Sequence, residues 1–230
     1  MKLSILIPVY NENKTILDLL ELVRNVDLDK EIILVDDCSS DGTRELLERT
    51  FGTGKGEVKV FYHDRNQGKG SAIRTALSNA KGDYVIVQDA DLEYSPSDMV
   101  GMAAVAGESA PEAVYGSRFL KTWKSTSFPH YMINRFLTSL TNVLFGGSLT
   151  DMETCYKMVR TEVMRSLDIK ASRFEFEPEV TAKLLMRKAK IVEVPVSYRG
   201  RSYDEGKKIG WKDGLEAVNT LLMIKLGKFK

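Results

Sequence analysis

Along the first half of the chain, short β-branched apolar runs alternate with amphipathic helical stretches at a period of about 25 residues. Leu3–Val9, Glu31–Val35, Val58–Tyr62 and Val85–Gln88 read as strands. Between them Ile16, Leu19, Leu20 and Val23 recur at helical spacing. A helix through Leu46-Leu47 follows Ser39-Ser40-Asp41-Gly42, and another, with Ala72, Ile73, Ala76 and Leu77 on one face, follows Asn66-Gln67-Gly68-Lys69-Gly70. Strands that are continuously apolar are buried on both faces, so this pattern calls for an α/β fold with a mostly parallel central sheet flanked by helices. Right-handed crossovers bring all the strand carboxyl ends to one edge, which is where such sheets bind ligands. That edge collects Glu12, Asp36, Asp37, Asp89 and Asp91.

At 230 residues the chain is long enough for one such domain and short for two. A net charge of +1 argues against a dedicated nucleic-acid binder. Cys38 and Cys155 have no metal-type spacing and read as free thiols of a reducing compartment. The apolar start Leu3–Ile7 is cut short by Pro8 and Asn11-Glu12-Asn13, and no run approaches the roughly 18 apolar residues of a membrane span. The expectation is a cytoplasmic catalytic body.

The second half is less regular. A strand at Ala113–Gly116 leads into Ser117-Arg118, and Ile133, Phe136, Leu137, Leu140 and Leu144 mark an amphipathic helix. Asp151–Val159 and Ile191–Tyr198 resemble strands, Pro178–Met186 a helix, and Trp211–Lys228 carries Leu215, Val218, Leu221, Leu222 and Leu226 at helical spacing. Ser95 and Pro96 suit the cap and first position of one more helix. From Ala113 to Thr150 no acidic residue occurs, while Arg118, Lys121, Lys124 and Arg135 are basic. A one-signed stretch of this kind suits an anionic partner or a solvated face.

The chemistry concentrates where the Val85–Gln88 strand stops. Asp89, Asp91 and Glu93 follow at i, i+2 and i+4, and an extended backbone would set all three on one side. Carboxylate oxygens at a strand end suit a hard cation such as Mg²⁺ or Mn²⁺, which keeps few protein ligands and shares its shell with phosphates. A Walker A spacing is absent, as is a G-x-G-x-x-G after the first strand, which disfavours a nicotinamide oxidoreductase. Glu12 and Asp37 can accept hydrogen bonds from a base or ribose. Asp41 reads as a helix cap. Gly68 and Gly70 admit either a phosphate approach with Lys69 as a point charge or a plain loop-to-helix turn. His63 and His130 read as structural.

Taken in order, Pro8-Val9-Tyr10-Asn11-Glu12, Asp36-Asp37-Cys38-Ser39-Ser40-Asp41-Gly42-Thr43, Asn66-x-Gly68-Lys69-Gly70 and Asp89-Ala90-Asp91-Leu92 resemble the serial motifs of family 2 glycosyltransferases of the GT-A fold. Tyr115-Gly116-Ser117-Arg118 and the segment around Arg201 narrow the likeness to the dolichol-phosphate mannose synthase, or polyprenyl-phosphate glycosyltransferase, branch. The resemblance implies a single Rossmann-like, nucleotide-diphospho-sugar transferase domain, with a nucleotide-sugar half (about 1–112) and an acceptor half (about 113–230). It implies inverting transfer of a hexose from a GDP-mannose or UDP-glucose type donor to a polyprenyl or dolichyl phosphate. Pro8, Tyr10, Glu12, Asp37, Lys69, Asp89, Ala90 and Asp91 would hold the nucleotide sugar. Asp91, with Asp89 and Glu93, would hold the divalent cation, Mg²⁺ or Mn²⁺. Arg118, Arg135, Ser139, Arg201 and Lys208 would hold the acceptor phosphate, although the segment Arg201–Ile209 departs from the branch's R-x-Y-G-E-S-K-L. Asp89, Asp91 and Arg118 carry the catalytic roles in this reading.

An ionised phosphate acceptor needs no strong base, only cations that align it with the anomeric carbon. Arg135 and Ser139, at i and i+4, share one helix face. A saccharide hydroxyl acceptor would need a base, and Glu177, near Glu175 and Pro178, is the candidate. A non-catalytic nucleotide-sugar-binding protein and a nucleotidyltransferase are the rivals from other classes. Phe128, Trp123, the helix 132–145 and the C-terminal helix suit either a membrane interface or the protein's own core. The chain is thus expected to be peripheral on the cytoplasmic face of a membrane, with a membrane partner subunit left open and no nucleic acid bound.

Overall fold

The computed structural model describes residues 1–52, 57–120, 128–201 and 211–229. Lys121, Trp123, Lys124 and Lys208 lie outside the described residues. The first half alternates β1 (Leu3–Val9), α1 (Ile16–Arg24), β2 (Lys30–Asp36), α2 (Thr43–Phe51), β3 (Val58–Tyr62), α3 (Lys69–Ser78), β4 (Tyr84–Val87) and α4 (Asp98–Ser109). The second half adds β5 (Ala113–Ser117), α5 (Phe128–Phe145), β6 (Lys157–Arg160), α6 (Thr161–Ser166), α7 (Phe176–Met186), β7 (Ile191–Pro195) and α8 (Trp211–Lys225). The chain is thus an α/β domain with a mostly parallel sheet.

Among the described residues the sheet has seven strands in the order β3-β2-β1-β4-β6-β5-β7. Only β6 runs against the others, pairing antiparallel with both β4 and β5. The order turns at β1, from which β2 and β3 extend one way and β4 the other, so a crevice opens between the β1 and β4 carboxyl ends. The two strands stop at different heights. Pairing with β4 ends at Leu6↔Val87, while β1 continues beside β2 to Val9↔Asp36. Pro8 therefore falls where β1 has already outrun β4, and its missing N–H removes nothing from that ladder. Ile5, Leu6, Ile7, Ile32, Ile33, Leu34, Val85 and Ile86 are fully buried, as continuous apolar strands require.

Three stretches differ from the sequence reading. The expected strand Asp151–Val159 is reduced to β6, because Asp151 and Thr154 turn their side chains to Arg118 and to the Gly116 carbonyl instead of extending a ladder. The expected strand Ile191–Tyr198 ends at Pro195, beyond which Tyr198 makes an isolated bridge to Tyr94. The helix after Pro96 starts at Asp98, two residues late, and its N-cap Ser97 makes no side-chain cap bond.

A smaller core joins α5, α7 and α8 through Leu137, Met152, Ala182, Ala217, Leu221 and Ile224. Both α5 and α8 thus bury one face on the protein itself. Their other faces remain apolar and exposed: Met132, Phe136 and Val143 on α5, and Leu215 and Leu222 on α8, with Leu226 just past its end. No described helix is long and apolar enough to cross a membrane.

The glycines opening α3 have a packing task. A Cβ on Gly70 would stand 2.4 Å from the Ala171 carbonyl oxygen, and one on Gly68, at φ +92, would stand 2.3 Å from that of Ser172. The close approach is to the protein's own backbone, which also accepts the Ser71 N–H at Ser172 O over 3.2 Å. Gly70→Ala should therefore destabilise the fold by about 1–3 kcal/mol, the cost of overpacking. Thermal denaturation should register this as a lowering of Tm by several degrees.

Candidate active site

The β1–β4 crevice is lined by carboxylates, each fixed by its strand end. After β1, Glu12 is turned inward by the Thr15 hydroxyl, which donates to its Oε2 over 2.9 Å and to the Ala90 carbonyl over 2.7 Å. Thr15 thereby ties the β1 loop to the β4 loop. After β2, the buried Asp37 carboxylate accepts the Gln67 N–H (2.9 Å) and the Gly68 N–H (2.7 Å), and pairs with His63 Nδ1 at 2.7 Å. His63 continues through Nε2 to the Thr75 hydroxyl, which gives it the structural role expected. Asp41 accepts the Thr43 N–H ahead of α2, but the N-cap is Gly42, one residue later than expected, and it makes no side-chain cap bond.

Asp91 and Glu93 come together, but through a turn and not by extended alternation, and Asp89 does not share their side as expected. The Glu93 N–H donates to Asp91 Oδ1 over 3.0 Å and Leu92 takes a left-handed φ of 62°. That tight turn, with a residue type that rarely adopts positive φ, aims Asp91 and Glu93 at the same guanidinium. Arg201 reaches in from the segment after β7: its Nη2 stands 3.3 Å from Glu12 and 3.4 Å from Asp91, and its backbone N–H donates to Glu93 at 2.8 Å. Burial, then Asp89 and then Glu93, push the Asp91 carboxyl up to about 7. Asp89 faces the other way, onto the Lys69 ammonium at 2.9 Å, and Lys69 also donates to Glu177 at 2.8 Å. Burial alone would lower the Lys69 pKa; the two carboxylates override it and hold the ammonium charged.

Across the crevice Arg118 leaves β5 and grips the fully buried Asp151 with both arms, Nε to Oδ2 and Nη2 to Oδ1, each 2.7 Å. Arg135 donates to the neighbouring Thr150 carbonyl at 3.2 Å, so Arg118 and Arg135 meet at one turn. Ser139 lies one helical turn beyond Arg135 and is exposed. Arg201 is not with these two; it sits among Glu12, Asp91 and Glu93. Tyr10 is exposed at the rim, Ala90 is buried beneath it, and Pro8 is half-buried.

Sequence reasoning missed the pieces that join the two sides. Tyr198 donates its hydroxyl to Glu93 at 2.7 Å and stacks its ring under the Arg118 guanidinium at 5.1 Å. Asp151 was legible as the first acid after the acid-free stretch, but its role as Arg118's partner was not drawn. Lys157, fully buried beside the Tyr115 ring, and Glu153 also went unassigned.

The donor set suits a hard divalent cation: Asp89, Asp91 and Glu93 offer carboxylate oxygens and no soft ligand, and Asp91 is buried with two acidic neighbours. Among the described residues no three His, Cys, Asp or Glu side chains converge on one point. Such a set suits an ion completed by phosphate oxygens rather than a closed protein cage.

A parallel α/β sheet whose crevice carries carboxylates at the strand ends defines a nucleotide-diphospho-sugar transferase fold. Residues 4–168 match the family described as Glycosyl transferase family 2, and the chain belongs to that family. It is 30% identical over 222 residues to a dolichol-phosphate mannosyltransferase of Pyrococcus furiosus, covering 91% of this chain and 61% of the relative. It is 31% identical over 218 residues to an undecaprenyl-phosphate 4-deoxy-4-formamido-L-arabinose transferase of Proteus mirabilis, covering 90% and 62%. The chain thus spans about three fifths of the length of these curated relatives. In fold it is similar to glucosyl-3-phosphoglycerate synthase of Mycobacterium tuberculosis, solved with Mn²⁺, uridine diphosphate and phosphoglyceric acid. There the TM-score is 0.73 at 19% identity, covering 100% of this chain and 80% of that one. These structures share the GT-A fold.

The raised Asp91 pKa sets a pH dependence. Between about 4, where an unfolded Asp titrates, and about 7 the folded chain retains a proton that the unfolded chain has released. Stability from this group is therefore complete at the acid end and lost as pH rises through 7. Glu153, also pushed up to about 7, chiefly by burial, adds to the same slope. Thermal midpoints measured from pH 4.5 to 7.5 should fall less steeply in Asp91→Asn than in the wild-type chain.

Proposed function

We propose that this chain transfers a hexose, with inversion, from a nucleoside-diphosphate sugar to a polyprenyl phosphate. The observation that carries the reading is the division of charge across one crevice: carboxylates at the β1 and β4 ends, and Arg118 and Arg135 at the facing turn. The names of both curated relatives, sugar transferases to dolichol or undecaprenyl phosphate, support it.

In this mechanism Glu12 and Asp37 hold the nucleoside and Asp91, Asp89 and Glu93 hold a divalent cation. The cation, when bound, neutralises charge on the departing nucleoside diphosphate. Lys69 fixes Asp89 and Glu177 in place and lends its positive charge to the donor side. Arg118, kept straight by Asp151, and Arg135 with Ser139 align the acceptor phosphate for in-line displacement. Lys208 has the same role in this reading. Arg201 stands on the acidic side among Glu12, Asp91 and Glu93, so it reaches the acceptor phosphate only by leaving them.

The rival reading, a saccharide hydroxyl as acceptor, requires a base. Its candidate, Glu177, has Oε1 engaged by the Lys69 ammonium at 2.8 Å, which disfavours it for taking a proton. The exposed faces of α5 and α8 support a peripheral position on the cytoplasmic side of a membrane, where the lipid phosphate is presented. Two cysteines that form no bridge agree with a reducing compartment.

Purified chain with Mn²⁺ or Mg²⁺, a short polyprenyl phosphate and either GDP-mannose or UDP-glucose should release nucleoside diphosphate and yield lipid-linked sugar. Asp91→Ala should lower the rate by roughly 100-fold or more, the scale of losing a metal's charge stabilisation. Release that ignores the lipid, with none of it glycosylated, would sink the lipid-phosphate reading. Separately, Phe136→Asp combined with Val143→Asp should weaken co-sedimentation with anionic phospholipid vesicles by about tenfold or more while leaving Tm unchanged, since both side chains are exposed.

A further inference from the structure

Glu153 lies in the turn between Asp151 and β6 and has no part in the mechanism above. The residue keeps some contact with solvent, yet its Oε1 is sealed off and accepts no hydrogen bond among the described residues. Every polar neighbour in the turn is engaged elsewhere. Asp151 holds Arg118, the Thr154 hydroxyl donates to the Gly116 carbonyl at 2.6 Å, and the Lys157 ammonium donates to the Thr154 carbonyl. A carboxylate oxygen buried without a partner destabilises the fold, and native chains rarely keep one for packing alone.

The chain neighbours of Glu153 locate it: Asp151 holds Arg118, and two residues further on Cys155 Sγ donates to the Val87 carbonyl at the end of β4 over 3.5 Å. Glu177 raises the Glu153 pKa, and Glu177 belongs to the donor side through Lys69 and Asp89. Arg118 and Asp151 also act on it, and they form the acceptor side. A sugar passing from a diphosphate at Asp89 and Asp91 to a phosphate at Arg118 has to lie between these groups. Its hydroxyls bring hydrogen-bond donors to a carboxylate that has none among the described residues.

We propose that Glu153 grips the transferred sugar, its carboxylate accepting a hydrogen bond from a hydroxyl of the donor hexose. This role rests on the reading of a nucleoside-diphosphate sugar as donor. It makes Glu153 a determinant of which sugar is accepted. A hexose without the matching hydroxyl would leave the carboxylate buried and unpaired, and sites of that kind discriminate strongly.

The test compares binding with and without the sugar. Titration calorimetry of the wild-type chain with Mn²⁺ and GDP, GDP-mannose, UDP or UDP-glucose identifies the nucleotide pair that binds. Glu153→Met, which removes the acceptor at similar volume, should raise Kd for the nucleotide sugar about tenfold or more and leave Kd for the bare diphosphate within about twofold. Glu153→Gln, which keeps one acceptor oxygen, should lose less. The ligand-free Tm of Glu153→Met should be unchanged or higher, whereas a structural carboxylate would lower it. Equal weakening of both ligands, no change in either, or a loss of kcat at undisturbed donor affinity would overturn the proposal. A wild-type chain that binds none of the four ligands would overturn the donor reading and this role with it.

Discussion

The structure depends on a buried ammonium held by two carboxylates. Lys69, the first residue of α3, stands between Asp89 at the end of β4 and Glu177 at the start of α7, with all three side chains largely withdrawn from solvent. Among the described residues no other ion pair joins the strand ends of the first half to a helix of the second half. Desolvating these groups is costly, and the pairing returns the cost only while the geometry holds. Loss of one partner would strand a buried charge, at about 3–5 kcal/mol for such pairs. The two glycines beside Lys69 serve the same junction. By letting the Ala171 and Ser172 backbone come close, they set the depth at which α3 starts and so the reach of the lysine.

From that junction a chain of alternating charge crosses the crevice. Glu12 meets Arg201, Arg201 meets Asp91 and Glu93, Glu93 holds the Tyr198 hydroxyl, and the Tyr198 ring carries Arg118, which grips Asp151. Each carboxylate on the donor side is therefore already partnered by a side chain or a backbone N–H. A ligand entering here exchanges partners rather than adding a charge. The Arg201 guanidinium sets one positive charge against Glu12, Asp91 and Glu93, and burial together with Asp89 and Glu93 keeps the Asp91 pKa raised beside it.

Much of the fold was legible because its determinants are local. The continuous apolar strands, their carboxyl-terminal acids and the helical periodicity between them fix a parallel sheet and its binding edge without long-range information. The crevice carboxylates were legible for the same reason: Glu12, Asp37, Asp89 and Asp91 all lie in the loops that follow strands β1, β2 and β4. What was lost is what depends on pairing across the chain. Asp151–Tyr156 has the look of a strand, yet its polar residues answer to Arg118 and Gly116, which lie more than thirty residues earlier. Tyr198 joins Glu93 and Arg118 from a position where sequence shows only the tail of a strand. The mutual approach of Asp91 and Glu93 was anticipated, but through an extended backbone; the turn that produces it depends on a left-handed Leu92 that no propensity favours.

The uneven division of charge also bears on order within the proposed reaction. At the donor end Glu12, Asp91 and Glu93 share Arg201, so a nucleoside diphosphate, itself anionic, can settle there only with added positive charge. At the acceptor end Arg118 and Arg135 meet at one turn with Asp151 as the matching acid, and a phosphate is welcome without a metal. The same ligand chemistry is thus sorted by what accompanies it. In the proposed reaction a bare phosphate would be steered to the arginines and a metal-bound diphosphate to the carboxylates. The sugar joined to that diphosphate then points across the interval where Glu153 stands. Under this reading, direction of transfer follows from electrostatics that the fold has already set before either substrate arrives.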